Sequence, residues 1–388
     1  MTDQTPHNFD VIVIGAGSVG TPISLDLARA GLRTLVIDSS PSVGQGSNKR
    51  AIGGIRATHS DPAKIRICQR SIEIFSTWQD LYGDDIEWFK GGYCFVAYRD
   101  REEQILKDLL IKQHEFGLNI DWLDHQQLLE RVPDLNPNGL LGGTFSPEDG
   151  SASPLLSMHA FYQHARRAGA VFHFGECVQG LIMRNGKISG VKTDRGEYGA
   201  EIVINAAGPN ANAIGKMVGL DLPVKPDSHE AAITEPVAHF LDPMIVDIRP
   251  VSGSANYYFY QHLTGQIIFC ITPSPNIWGW DTEETSSFLP MVAQRMVETM
   301  PRLANLRVRR TWRGLYPMTP DGFPIVGWSK EVPGFMQAIG MCGQGFMLGP
   351  GIAELITRII TRNETNEDIE TLQYLSPERE FAGIEKLQ

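Results

Sequence analysis

The stretch FDVIVIGAGSVGTPISLDLARAGLRTLVID, residues 9–38, decides the fold. Residues 9–14 are an almost unbroken apolar run, short and rich in β-branched side chains, as suits a strand buried on both faces. Gly15, Gly17 and Gly20 follow at the spacing G-x-G-x-x-G. Pro22 to Ala30 reads as a helix with Ile23, Leu27 and Ala30 on one side, and Gly31 stops it. Residues 34–37 make a second buried strand ending in Asp38. Gly15 permits the tight turn, Gly17 lets the backbone approach a pyrophosphate, and Gly20 lets the helix pack on the strand. The helix N-terminus offers N–H groups and a positive dipole to phosphates, and Asp38 stands where an acid can accept hydrogen bonds from a ribose. The glycine spacing alone would also fit an ordinary strand–turn–helix. Strand, glycines, helix, second strand and terminal acid together point to a dinucleotide site.

Working outward, residues 39–60 are rich in Gly, Ser and Arg and read as a long loop or short helix against something charged. Residues 61–80 return to helical spacing (Ile65, Cys68, Ile72, Phe75). Residues 93–98 make a strand, 101–116 an amphipathic helix burying Ile105, Leu109 and Phe116, 142–154 a loop, and 155–168 a helix. Residues 170–204 read as strands with turns at Asn185-Gly186 and Arg195-Gly196. The buried strand 201–205 runs into Ala206, Ala207 and Gly208, a second strand–glycine–helix junction. Residues 223–288 are strand-like and aromatic, 289–300 helical, 313–327 dense in Pro and Gly, and 335–339 a strand. Gly340 to Gly351 is a third glycine-rich turn, opening a helix at 352–361. The acidic tail after Asn363 is expected to fray. The expected class is α/β (α+β). A Rossmann-like domain is assembled from discontinuous segments 1–85, 150–220 and 325–375, with an antiparallel-sheet substrate domain from 86–149 and 221–324.

A net charge of −11, from 45 acidic and 34 basic residues, and no basic stripe argue against nucleic acid as a partner. Five scattered cysteines without C-x-x-C or zinc spacing suit a reducing compartment and suggest no metal site. Residues 1–8 are polar, with no secretory signal, and no run is apolar enough to span a bilayer. The expected location is the cytoplasm.

The order and spacing of several motifs resemble the FAD-dependent amino-acid and amine oxidoreductases of the D-amino-acid oxidase superfamily. They are residues 11–20, Gly46 to Arg56, Asn205 to Gly208, His229 to Thr234, Thr311 to Gly314, Thr319 to Gly327 and Gly343 to Met347. The run from Arg50 to Arg56 is most similar to the L-proline dehydrogenase beta subunit. The resemblance implies FAD held by Gly15, Gly17, Ser18, Val19, Gly20, Asp38, Ser39, Gly46, Ser47, Arg50, Ala51, Gly53, Gly54, Val178, Ala207, Gly208, Gly340, Gly343, Gln344, Gly345, Phe346 and Met347. It also implies a substrate site at Arg56, Tyr316, Tyr258 and His59. Arg56 matches the substrate-carboxylate arginine of sarcosine oxidase, and a guanidinium is a flat, permanently charged fork for a carboxylate. A surface or phosphate-binding arginine is the alternative, and the aromatic residues could equally be core. His229 reads as a satisfied structural histidine, and Arg313 with Asp321 as an ion pair holding a turn.

Departures from the pattern are informative. Gly314 stands where sarcosine oxidase attaches its flavin through cysteine, and Arg50 where the dimethylglycine dehydrogenase group uses histidine, so non-covalent FAD is expected. Ile267 and Ile268 occupy the strand that carries an oxygen-activating lysine in sarcosine oxidase, and Met347 replaces a second carboxylate-binding lysine. The resemblance therefore implies oxidation of the C–N bond of a small amino acid or secondary amine such as proline, sarcosine or another N-substituted glycine, with oxygen or a carrier as electron acceptor. A 2-hydroxy-acid dehydrogenase and a flavin-bearing subunit of a larger complex are the alternatives.

Overall fold

The computed structural model describes residues 9–383 and 385–387. The N-terminal residues 1–8, read above as no secretory signal, lie outside them. Val11–Ile14 is fully buried and runs parallel to Thr34–Asp38 on one side and Ile202–Asn205 on the other. These three strands centre a six-stranded sheet in the order 325–328, 335–339, 202–205, 11–14, 34–38, 171–174, parallel except for its edge strand Ile325–Trp328. Because side chains alternate along a strand, Val11 and Val13 pack on one layer and Ile12 and Ile14 on another. The first layer holds helices Gly20–Arg29, Pro62–Tyr82 and Gly345–Ile360. The second holds a three-stranded antiparallel sheet of residues 178–199 and the short helix Ala211–Lys216. Both faces are covered, which is why these strands carry no polar alternation.

A second sheet has eight strands in the order 308–318, 225–234, 267–274, 253–261, 244–247, 93–97, 142–146, 121–124. It is antiparallel apart from the pairing of Met244–Asp247 with Tyr93–Ala97. Helix Phe288–Thr299 seals one face through Phe288, Val292 and Met296 against Phe269 and Phe259.

Several local readings change. Residues 142–154 are not a loop but contain strands Gly142–Ser146 and Gly150–Ser151. Their glycines serve close approach: a Cβ on Gly143 would fall 2.5 Å from the Phe95 carbonyl oxygen. Residues 313–318 belong to the long strand Val308–Met318. The helix expected from 352 starts at Gly345, because Gly349 and Gly351 are contact points rather than breakers. A Cβ on Gly349 would stand 1.8 Å from the Ser18 carbonyl oxygen, and one on Gly351 2.3 Å from that of Ile67. Helix Asp100–Glu115 buries Leu106 and Leu109, with Ile105 and Phe116 only partly covered. Among the described residues, the chain beyond Asn363 is packed into the fold where fraying was expected. It forms helix Asn366–Leu375, started by a capping box of Thr365 and Asp368, and Glu385 and Leu387 are buried. Among the described residues no helix is long and apolar enough to cross a membrane.

Candidate active site

A cavity of about 560 Å³ is lined by residues of both large sheets. At one end lies the first glycine turn. Gly15 adopts φ +109°, closed to most side chains, and a Cβ on Gly17 would meet nothing within 4 Å, so that face is open for an occupant. The Asp38 carboxylate accepts the Ala16 N–H at 2.7 Å and the Ser40 N–H at 2.7 Å, tying the turn to the end of the second strand. The following loop, one turn of 3-10 helix at Ser47–Arg50, is pinned to the far sheet. Ser47 Oγ donates to the Leu315 carbonyl (2.7 Å) and Trp312 Nε1 to that of Arg50 (2.8 Å).

The cavity wall brings together Gly15, Gly17, Ser18, Val19, Asp38, Ser39, Gly46, Ser47, Arg50, Ala51, Gly53, Gly54, Val178, Ala207, Gly208, Gly343, Gln344, Gly345, Phe346 and Met347. Gly20 and Gly340 are not on it. A Cβ on Gly20 would fall 1.9 Å from the Gly15 carbonyl oxygen, and one on Gly340 2.4 Å from Thr319 Cγ2, so both are packing glycines. Helices 20–29 and 345–360 both begin at this cavity, and their first N–H groups are donors without helical partners. Asn48 Oδ1 and Gln344 Oε1, on the same wall, are buried and without hydrogen-bond partners. Helix N-termini, a glycine cradle and orphaned amide oxygens suit a long phosphate-bearing cofactor with a polar ring, so the residues fit FAD.

At the other end, strands 225–234, 253–261, 267–274 and 308–318 present one face to the cavity. Tyr258 and Tyr316 meet hydroxyl to hydroxyl at 2.9 Å, both partly exposed to it. Burial raises both phenols, with Cys270 beside them adding to the shift. His229 stacks on the Tyr316 ring at 3.7 Å between centroids, 14° from parallel. Its Nε2 lies 3.0 Å from Asp227 Oδ2, while its buried Nδ1 has no partner. Burial lowers the His229 pKa. Burial would raise Asp227, yet bonds from His229, Asn276 Nδ2 (2.8 Å) and the Ile277 N–H (2.6 Å) hold it below its ordinary value. His229 is therefore not a satisfied structural histidine. The signal available in the sequence was the two-residue spacing of Asp227 and His229, which puts both on one face of a strand.

Arg56 lines the cavity, 7% exposed. Its Nη1 donates to the Thr58 carbonyl and lies 3.1 Å from His59 Nδ1, while Nη2 donates to the Leu387 carbonyl. His59 is not among the lining residues: fully buried, it sits between Arg56 and Cys68 Sγ (3.4 Å), with a pKa lowered well below normal by burial and by the Arg56 charge. Arg313 and Asp321 are not paired with each other. Arg313, within the strand Val308–Met318, bonds Asp281 at 2.7 Å, and Asp321, in the turn after that strand, bonds Arg379 at 2.9 and 3.0 Å. Ile267 and Ile268 are buried in the sheet and absent from the wall, which Cys270 and Met347 join.

Residues 10–359 match the family model described as FAD dependent oxidoreductase. Among solved structures, L-proline dehydrogenase from P. horikoshii superposes with a TM-score of 0.89 at 31% identity, covering 96% of this chain and 97% of that one. Hydrogen cyanide synthase subunit HcnC of Pseudomonas aeruginosa is 24% identical over 94% of this chain and 95% of its own length. Glycine oxidase of Bacillus subtilis is 24% identical over 93% and 95%. With its cradle, its two sheets and this similarity along nearly its full length, the chain belongs to the family of FAD-dependent oxidoreductases.

Proposed function

We propose that this enzyme oxidises the C–N bond of a small amino acid, a secondary one such as proline, sarcosine or another N-substituted glycine, to the imine. The observation that carries the reading is the placement of Arg56 and the Tyr258–Tyr316 pair on the same cavity as the FAD cradle. FAD, when bound, takes up the hydrogen and electron pair leaving the substrate's α-carbon. Arg56 holds the carboxylate by charge-assisted bonds, which fixes the α-carbon and removes orientational freedom from the barrier. One phenol of the pair donates to the other, which keeps its own proton free to orient substrate. Both stay protonated at working pH, so they position rather than deprotonate. The isoleucines at 267 and 268 supply no cation for oxygen activation, which favours a carrier as acceptor. Similarity to a synthase subunit, together with exposed Trp278 and Trp280, supports work within a larger assembly. Five free thiols among the described residues favour a cytoplasmic setting.

Anaerobic mixing of the holoprotein with a panel of amino acids and 2-hydroxy acids tests this. Small amino acids are expected to bleach the flavin, and readmitted air to restore it slowly. Bleaching by hydroxy acids alone would overturn the reading. Gly314 offers no thiol to flavin, and its place is filled by the Arg50 side chain, 3.0 Å from a Cβ built there. Acid precipitation is therefore expected to leave all the yellow colour in the supernatant.

A further inference from the structure

The chain's last described residues reach the active site. Glu385 is buried on the Pro62–Tyr82 side, where its Oε2 meets Lys64 Nζ at 3.1 Å and its Oε1 accepts from Ser60 Oγ. That same Oε1 accepts the Leu387 N–H at 3.0 Å, folding the segment back on itself. Leu387 is 1% exposed and packs among Tyr93, Phe95, Met244 and Val246, all on the cavity wall, which it joins. Its carbonyl accepts a hydrogen bond from Arg56 Nη2.

The two arms of the Arg56 fork are held differently. Nη1 is tied locally to Thr58 and His59, in a loop fixed by Asp149, which accepts the Ala57 N–H at 2.9 Å and Thr58 Oγ1 at 2.7 Å. Nη2 is held by a residue 331 positions away. The bond from the Arg56 cation to a main-chain carbonyl involves one charge, whereas its bond to a carboxylate joins two charges of opposite sign and is the stronger. A carboxylate reaching the fork therefore displaces the carbonyl. Glu385, two residues upstream and anchored on Lys64, keeps the segment in place while it yields.

We propose that Glu385–Leu387 is a specificity element of this site: the Leu387 carbonyl occupies one arm of Arg56 until a carboxylate substrate displaces it, and the Leu387 side chain limits how large that substrate can be. The inference rests on the reading of Arg56 as the carboxylate clamp.

The test uses the FAD-loaded enzyme and two probes that cannot be oxidised in its manner, pyrrole-2-carboxylate and its uncharged isostere pyrrole-2-carboxamide, followed by flavin absorbance. Deleting residues 386–388 is expected to tighten the carboxylate roughly fivefold, the worth of one removed competing hydrogen bond, and to leave the carboxamide unchanged. Leu387→Ala in the full chain is expected to raise kcat/KM for bulky amino acids relative to small ones. Unchanged or weakened carboxylate binding in the deleted chain overturns the proposal. If that chain does not retain FAD, Leu387→Ala decides, and no shift in size preference overturns it. Arg56→Lys separates the two layers. If it binds the carboxylate as the parent does, the clamp reading fails and the inference with it; if it loses binding while the deletion changes nothing, only the inference fails.

Discussion

Tyr258 and Tyr316 share one hydrogen bond, and burial keeps both phenols neutral. Removing either hydroxyl frees the other from its partner, so the two act as a unit. Tyr316→Phe is expected to lower kcat/KM for the best amino acid about tenfold, equivalent to one hydrogen bond of about 1.4 kcal/mol. Tyr258→Phe should do the same, and the double variant should lose little more than either alone. Rapid anaerobic flavin reduction with FAD content held equal measures this, and full additivity would show that the hydroxyls work separately. Behind them the Asp227 carboxylate can only accept, so His229 carries its proton on Nε2 and presents a bare Nδ1 lone pair. The stacked His229 ring gives Tyr316 a flat support.

At the scale of elements, two glycines of one motif have opposite jobs. Gly20 lies where strand and helix touch, its absent Cβ 1.9 Å from the Gly15 carbonyl oxygen, while Gly17 faces open space. Gly20→Ala must move backbone and is expected to destabilise the apoprotein by roughly 3 kcal/mol or prevent folding. Gly17→Ala should leave the apoprotein's Tm unchanged and weaken FAD binding at least about tenfold, because the methyl group occupies the cradle. Thermal melts of apoprotein and FAD titrations distinguish the pair. Equal effects in both assays would remove the distinction between packing glycine and cradle glycine.

At the scale of the molecule, the Lys64–Glu385 ion pair joins positions 321 apart, with both side chains fully buried. Glu385→Gln leaves the Lys64 charge without its counter-ion and is expected to cost about 3 kcal/mol at pH 7. Burial alone would raise the Glu385 carboxyl, but Lys64, His59 and the bonds from Ser60 and Leu387 hold it far below its ordinary 4.5. A carboxyl depressed in the folded state stabilises above pH 4.5, and that contribution is lost as pH falls toward the folded value. The gap between parent and variant in denaturant unfolding should therefore be full at pH 7 and narrow below pH 4.5. A gap that does not change with pH would show that the carboxylate charge is not what holds the segment.

The nucleotide-binding junction at residues 9–38 was legible because each of its signals is local: a β-branched run, three glycines at fixed spacing, a helical stripe and a terminal acid all act within a few turns of chain. The later glycine-rich segments were misjudged by the same local logic. In the helix from Gly345, Gly349 and Gly351 are where another segment's backbone packs too close for a Cβ, and the sequence around them does not contain that neighbour. The partners of Arg313 and Asp321, the loss of His59 from the cavity wall and the arrival of Leu387 at Arg56 were decided by tertiary structure alone. Each depends on which distant side chain or carbonyl the folded sheets bring within about 3 Å, and a hydrogen bond, unlike a periodicity, exists only between groups that have already met.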